Sequence, residues 1–327
     1  MIPHLFKHEK YCIHYINLKF INNLGLNITK VHNIISFKQK EWLKPYIDFN
    51  TEKRKGAKNE FEKDFFKLMN NSVFGKTMEN VRNRMKLHLT IDDVNAKKWF
   101  TKPTLKCNKF IDGLHLIEMY NEEMEMDKPI YVGTSILDLS KLCMMDFHYN
   151  VIEKEFHGKY NLIYSDTDSL VYRIEHPNIY EWIKDNKTHF DLSESANEDL
   201  RDNTNKKVLG KFKDEMNSLL IKELVGLIPK VYSIIHQEYN QDTKYNYWKN
   251  KKTLKGVSKA VVKNDIEHND YVDVISTNNV IKKDVVSIRS FDHQLYTYKQ
   301  PKIALTSFYD KMCMISENDC LPFGYRL

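Results

Sequence analysis

Residues 161–174, NLIYSDTDSLVYRI, set two runs of β-branched and aromatic residues on either side of an Asp-Thr-Asp break. Runs of that composition joined by a short polar segment fold as a β-hairpin. That places Asp166 and Asp168 at its tip. Two carboxylates so close repel each other, and neither has much apolar surface to bury. The plainer account is that Asp favours turns. The other is a divalent cation. Residues two apart on a strand point to the same side, and Mg²⁺ takes oxygen ligands, commonly one or two carboxylates together with substrate phosphates. An Asp-x-Asp turn alone leaves both open, and it also serves sugar-nucleotide transferases.

Composition narrows the classes. No stretch of about 18 apolar residues occurs, so no membrane span and no membrane partner is expected. The N-terminal segment MIPHLFKHEKYCIHYINLKF is interrupted by Lys, His and Glu, unlike a secretory signal. Cys12, Cys107, Cys143, Cys313 and Cys320 are scattered, with no C-x-x-C pair. Their pattern predicts a reducing compartment, nuclear or cytoplasmic rather than secreted, and no zinc site. The net charge of +6 says little by itself. Its distribution says more: KYNYWKNKKTLKGVSKAVVK, residues 244–263, holds seven lysines and no acid, with Tyr245, Tyr247 and Trp248 interleaved. Cations among aromatics suit a phosphate backbone, and Lys251, Lys252 and Lys255 are the candidate DNA contacts. The alternative is a solvated charged loop, and NEEMEMD at 121–127 is a cluster of the opposite sign.

Along the chain, residues 14–26 read as a short helix with Gly25 near its end, and 27–37 as a β-rich run. A helical pattern runs from about Ala57 to Val81, with no Gly or Pro before Gly75. Residues 85–132 mix strand-like MKLHLTI and PIYV with turn signals at Lys102-Pro103 and Asp112-Gly113. A helix is expected over 134–156, capped by Thr134 or Ser135. After the 161–174 hairpin, strands are expected at 209–215 and 230–237, with EMNSLLIKELVG connecting them. The last ninety residues look basic and irregular. This order predicts an α+β protein rather than a βαβ alternation.

The long helix carries a second pattern. Lys63, Lys67, Asn71 and Phe74 fall at spacings of four, four and three, which stacks them on one face. Phe61, Phe65, Leu68 and Met69 are expected on a side that buries. Two ammonium groups, an amide, a ring and then Gly75 would suit a triphosphate, a sugar and base, and close approach of a base pair. A solvated lysine face on an amphipathic helix fits the same residues.

Taken together, these segments carry a resemblance. KLMNNSVFG (67–75) resembles the K-x-x-x-N-S-x-Y-G motif of family B DNA polymerases, with Phe74 in the Tyr position. YSDTDS (164–169) resembles their Y-x-D-T-D-S motif, and Lys230-Val231-Tyr232 their K-x-Y; LKGVSKAVVKND resembles the start of the thumb. The chain is most similar to the protein-primed branch found in linear-genome phages, adenoviruses and Maverick/Polinton transposons. The segment from Glu41 to Arg84 and the tail KIALTSFYDKMCMISENDCLPFGY resemble the transposon and virus group.

The resemblance implies a partial polymerase right hand of fingers helices, an antiparallel palm sheet and a small thumb. Its divisions would be 1–53 (palm or insertion remnant), 54–84 (fingers helix), 85–128 (a hairpin-like insertion), 129–237 (palm) and 238–327 (thumb and tail). Lys63 and Lys67, with Arg54 or Lys55, would hold the incoming deoxynucleoside triphosphate. Asn71 would orient it, and Phe74 would lie beneath the nascent pair. Asp166, supported by Asp168, would ligate Mg²⁺ or Mn²⁺, and Lys230 and Tyr232 would fix the primer terminus. DNA template and primer would be partners, with a terminal protein as a further one.

One part of the family pattern is absent. The aspartates before Lys67 are Asp48 and Asp64, and neither sits in a D-x-x-S-L-Y-P motif. The expectation is therefore a chain that starts part-way through the palm, without the exonuclease domain and the first palm strand. Two functions follow: DNA-directed DNA polymerisation in replication of a mobile element or virus, or a catalytically inactive DNA-binding relic.

Overall fold

The computed structural model describes residues 6–239, 246–291, 294–316 and 319–322. Lys244 and Tyr245 of the basic run, and residues 317–318 and 323–327 of the tail, lie outside the described residues.

Helix α1 (Tyr15–Asn23) starts where the His14 ring accepts the Ile16 amide and stops before Gly25 at φ +100°. Helices α2 (Lys44–Lys55) and α3 (Glu60–Thr77) form a packed pair. The Tyr46 hydroxyl donates to the Met69 carbonyl at 3.3 Å, and the Asn70 amide to Thr51 Oγ1 at 3.4 Å. Asn59 caps α3 by accepting the Glu62 amide.

Next come β1 (Lys86–Thr90), α4 (Asp93–Phe100), β2 (Leu105–Ile111) and β3 (Leu114–Met119), a sheet in the order β1-β3-β2. Asp112 and Gly113, both at positive φ, close the two-residue β2–β3 turn, as the Asp-Gly pair demands. Segment 85–128 thus holds more than a hairpin: α4 lays Ala96, Trp99 and Phe100 over Ile117, Met119 and Leu105.

Helix α5 (Ile130–Asp146), a π-helical turn (Phe147–Ile152) and α6 (Glu153–Phe156) precede the hairpin β4 (Tyr160–Asp166) and β5 (Ser169–Ile174). Then follow α7 (Ile179–Asp185) and the antiparallel sheet β6 (Ile221–Ile228), β7 (Val231–Tyr239) and β8 (Asn246–Leu254). The chain ends with α8 (Lys259–Asn264), α9 (His268–Thr277), a two-stranded ribbon β9 (Ile281–Phe291) and β10 (Gln294–Leu305), and a small pair β11 (Met312–Met314) and β12 (Cys320–Pro322).

The described residues fall into two compact units, one within 1–35, 140–289 and 295–327, the other within 36–139 and 290–294. The chain is α+β. In the first unit one core packs α8 and α9 on the β6–β7–β8 sheet through Val231, Leu254, Val262, Ile266, Tyr271 and Val274. A second, aromatic core sets Phe147, Ile152, Phe156, Trp182 and Phe190 beneath Tyr160, Leu170, Tyr172 and Ile174 of the hairpin. The described part of the second unit centres on Ala96, Ile117 and Met119.

Several sequence expectations are corrected. Residues 27–37 form no strand: Ile34 and Ile35 are exposed, and β-forming residues without a partner edge make no sheet. PIYV begins α5, because Pro129 suits the entry to a helix. Thr134 and Ser135 are inside α5 and not caps; their hydroxyls donate back to the Ile130 and Tyr131 carbonyls. Residues 209–215 make a single bridge, Phe212 to Phe190, while the expected connection at 215–226 contains most of β6. The last ninety residues are ordered strands and helices over most of their length. On α3, Phe61, Phe65 and Leu68 are exposed rather than buried, because α2 takes the side carrying Met69 and Asn70.

The small core makes a prediction. Ile117 is fully buried, and Ile117→Ala should destabilise its unit by about 2–5 kcal/mol, read from a chemical denaturation curve.

Candidate active site

The hairpin tip depends on one extra residue. From Tyr160↔Ile174 to Leu162↔Tyr172 the β4–β5 register is regular; Ile163 then bulges, and Tyr164↔Val171 through Asp166↔Ser169 follow. Without the bulge Asp166 would face Asp168 and no two-residue turn could form. The bulge also reverses which face the strand shows. Tyr160 shares the face of Tyr172, which packs on the aromatic core, whereas Tyr164 and Asp166 share the opposite face with Val171 and Ser169.

The turn itself is strained. Thr167 has φ +58°, and the Asp168 amide donates to the Asp166 carbonyl at 2.6 Å. A β-branched residue at positive φ is an outlier that persists only where its surroundings hold it, and such residues cluster at functional sites. Thr167 Oγ1 donates to Asp166 Oδ1 at 3.2 Å, and Ser169 Oγ to the Asp166 carbonyl at 3.2 Å. Asp168 is exposed. It lies in the turn, beyond the end of β4, so the two carboxylates do not share one strand face by simple alternation.

A second hairpin tip meets the first. Pro229 and Lys230 connect β6 to β7. Pro fixes the first turn position, and Lys230 takes φ +65° at the second, a conformation that glycine adopts more cheaply. The Lys230 amide donates to the Tyr164 hydroxyl at 2.9 Å, and its ammonium reaches Asp166 Oδ2 at 2.6 Å. The Tyr164 ring lies 5.1 Å from that of Tyr232 and covers Gly226, the cross-strand partner of Tyr232. The Lys255 amide donates to the Lys230 carbonyl at 3.2 Å. Residues of YSDTDS and KVY, 64 positions apart for the ion pair, thus form one cluster.

The Lys230 ammonium, by its hydrogen bond, holds the Asp166 carboxyl below the ordinary Asp range; partial burial opposes this, and the Thr167 hydroxyl and the Lys255 charge assist it. Lys230 is raised in turn, chiefly by its bond to Asp166. Asp166 is therefore an ionised, partly shielded oxygen donor near neutral pH. Asp168, two residues on and exposed, is the second carboxylate of the turn; Mg²⁺ commonly takes one or two carboxylates together with substrate phosphates. Among the described residues no group of three His, Cys, Asp or Glu side chains is placed to hold a metal.

In the other unit, α3 presents the remaining candidates. Lys63 pairs with Glu60 at 3.2 Å, and Lys67 and Asn71 are exposed. Phe74 is half-buried. Nothing among the described residues lies within 4 Å of where a Gly75 Cβ would stand, so no packing among them requires a glycine there. Arg54 and Lys55 end α2, Lys55 pairing with Glu52 at 2.9 Å.

The basic run divides by direction. Lys251 and Lys255 are exposed. Lys252 turns inward, where its ammonium donates to the Lys263 carbonyl at 3.1 Å and to that of Ile266, closing the C-terminal end of α8. Sequence reasoning missed this role of Lys252, and it missed the Tyr164 hydroxyl and Gly226. Only the Tyr164 position carried a signal, as part of the Y-x-D-T-D-S pattern.

No protein-family model, curated protein or solved structure matches the chain.

The Asp166–Lys230 pair predicts a pH dependence. Because the folded-state pKa of Asp166 is depressed, its stabilising contribution is present above the ordinary Asp pKa and is lost as pH falls through the depressed value. Lys230→Met should raise the Asp166 midpoint in a carboxyl-carbon NMR titration and flatten the acid-side loss of stability.

Proposed function

We propose that this chain is part of a DNA-directed DNA polymerase similar to family B, carrying out template-directed nucleotidyl transfer. The observation that carries the reading is the junction of two hairpin tips at Tyr164, Asp166 and Lys230. The sequence resembles a polymerase pattern at both tips, and a strained, ion-paired carboxylate turn is costly to keep without a use.

In this reading the 3′-hydroxyl oxygen of a primer forms a bond to the α-phosphorus of a deoxynucleoside triphosphate. The α–β phosphoanhydride bond breaks, pyrophosphate leaves, and the hydroxyl proton passes to solvent. Asp166 and Asp168 would hold Mg²⁺, which when bound stabilises the charge on the transferring phosphoryl group. Lys230, on the turn fixed by Tyr164, and Tyr232, in β7, would bind and orient the primer terminus. Lys63 and Lys67 would bind the triphosphate as cations on one helix, Asn71 would orient it, and Phe74 would stack beneath the new pair. Gly75 would leave room for the base pair to approach.

Primer extension on a template tests this. Asp166→Asn should lower the rate by about a thousandfold or more, the scale of several kcal/mol of lost metal contribution, while leaving DNA affinity within about twofold. Extension by Asp166→Asn at the parent rate would sink the assignment.

A second reading is a DNA-binding protein without catalysis. It is favoured by the lack of a third metal-competent side chain beside the Asp pair among the described residues. It expects no extension by the parent chain and salt-sensitive DNA binding through the exposed lysines. Under either reading, Lys251→Ala and Lys255→Ala should each reduce the slope of log affinity against log salt by about 1. Lys252→Ala should leave the slope unchanged and instead lower the unfolding midpoint, because its ammonium faces inward.

A further inference from the structure

The turn that carries Lys230 is pinned on both sides of its peptide. Its amide is held by the Tyr164 hydroxyl at 2.9 Å and its carbonyl by the Lys255 amide at 3.2 Å. The side chain is held at its far end, by Asp166 Oδ2 at 2.6 Å. It is half exposed, at 49%, whereas the Asp166 side chain is 23% exposed. A backbone fixed in place and a wet, four-carbon arm make a cation that can leave without disturbing the fold. The bonded oxygen belongs to the carboxylate that would ligate a metal, and one carboxylate oxygen does not serve an ammonium and a divalent ion in the same line of approach.

We propose that the Lys230 ammonium is the resident counter-ion of Asp166 and that a divalent cation takes its place, releasing Lys230 toward solvent. This rests on the reading of Asp166 as a cation ligand. The exchange keeps the turn charge-compensated in both states: one ammonium, or one divalent ion, faces the Asp pair. It couples two events at the site, since an ammonium freed from Asp166 on a fixed turn is available to a phosphate group. It also lowers the affinity for the cation, because binding must first break the ion pair.

The test uses the full chain, without DNA or nucleotide, and Mn²⁺ as the probe, with free Mn²⁺ measured by electron paramagnetic resonance. Lys230→Met and Lys230→Gln remove the competing charge and should each bind Mn²⁺ about three- to tenfold more tightly than the parent, the range set by a partly shielded ion pair. Asp166→Asn should lose this binding. If Asp166→Asn abolishes binding while both Lys230 variants bind like the parent or more weakly, the exchange is overturned and the cation site stands. If no protein in the set binds Mn²⁺, or Asp166→Asn binds as the parent does, the reading of Asp166 as a ligand falls and the exchange with it. Two Lys230 substitutions are used so that misfolding of one, visible by circular dichroism, leaves the comparison intact.

Discussion

Compensation of charge joins two hairpin tips of the first unit. Asp166 and Asp168 stand two residues apart, and Thr167 between them is held at positive φ. Repulsion and strain of that kind open a turn unless something outside it supplies positive charge and fixed contacts. Lys230 supplies both, an ammonium for Asp166 and a main-chain N–H for Tyr164. The β6–β7–β8 sheet behind Lys230, closed by α8 and α9 over one core, keeps the cation where the hairpin needs it. The aromatic core beneath Tyr160 and Tyr172 fixes the hairpin from its other face. Each tip is therefore supported by its own core, and the two meet through polar contacts, a pair of tyrosine rings and the Tyr164 ring over Gly226.

The Ile163 bulge gives this arrangement its direction. A regular hairpin would turn Tyr164 toward the face that already holds Tyr160 and Tyr172. One inserted residue reverses the face and creates room for a two-residue turn. With Ile163 set out of the register, Tyr164 and Asp166 pair with Val171 and Ser169 and so share one face of the tip. Gly226 completes the fit: the Tyr164 ring rests over a strand position that carries no side chain.

Local signals were legible in the sequence. The hairpin at 161–174 followed from two β-branched runs and a polar break, the Asp112-Gly113 turn from its residues, and α1 from its spacing and Gly25. Several of the failures share a physical origin, in that the deciding partner was distant. Strand β6 was missed because Gly226 and the polar start of its segment weaken it locally; its pairing with β7 makes it a strand. The β9–β10 ribbon was missed because β10 is exposed over most of its length, so it lacks the in-out alternation that marks a half-buried strand. On α3 the aromatic stripe of Phe61 and Phe65 and the Met69 side compete for burial. Only α2, with Tyr46 and Thr51, decides between them.

The lysines of β8 show why charge counts locate a binding surface poorly. Lys251 and Lys252 are adjacent, and composition treats them alike. On a strand, adjacent residues face opposite ways, so one faces water while the other spans the end of α8 and satisfies carbonyls that would otherwise lack donors. A cation used inside the fold adds little to the field that a phosphate backbone meets. Lys255 occupies a third position: its backbone steadies Lys230 and its charge helps keep Asp166 ionised. The direction of each ammonium, set by strand parity and by the turn after Leu254, assigns these neighbouring lysines to three separate tasks.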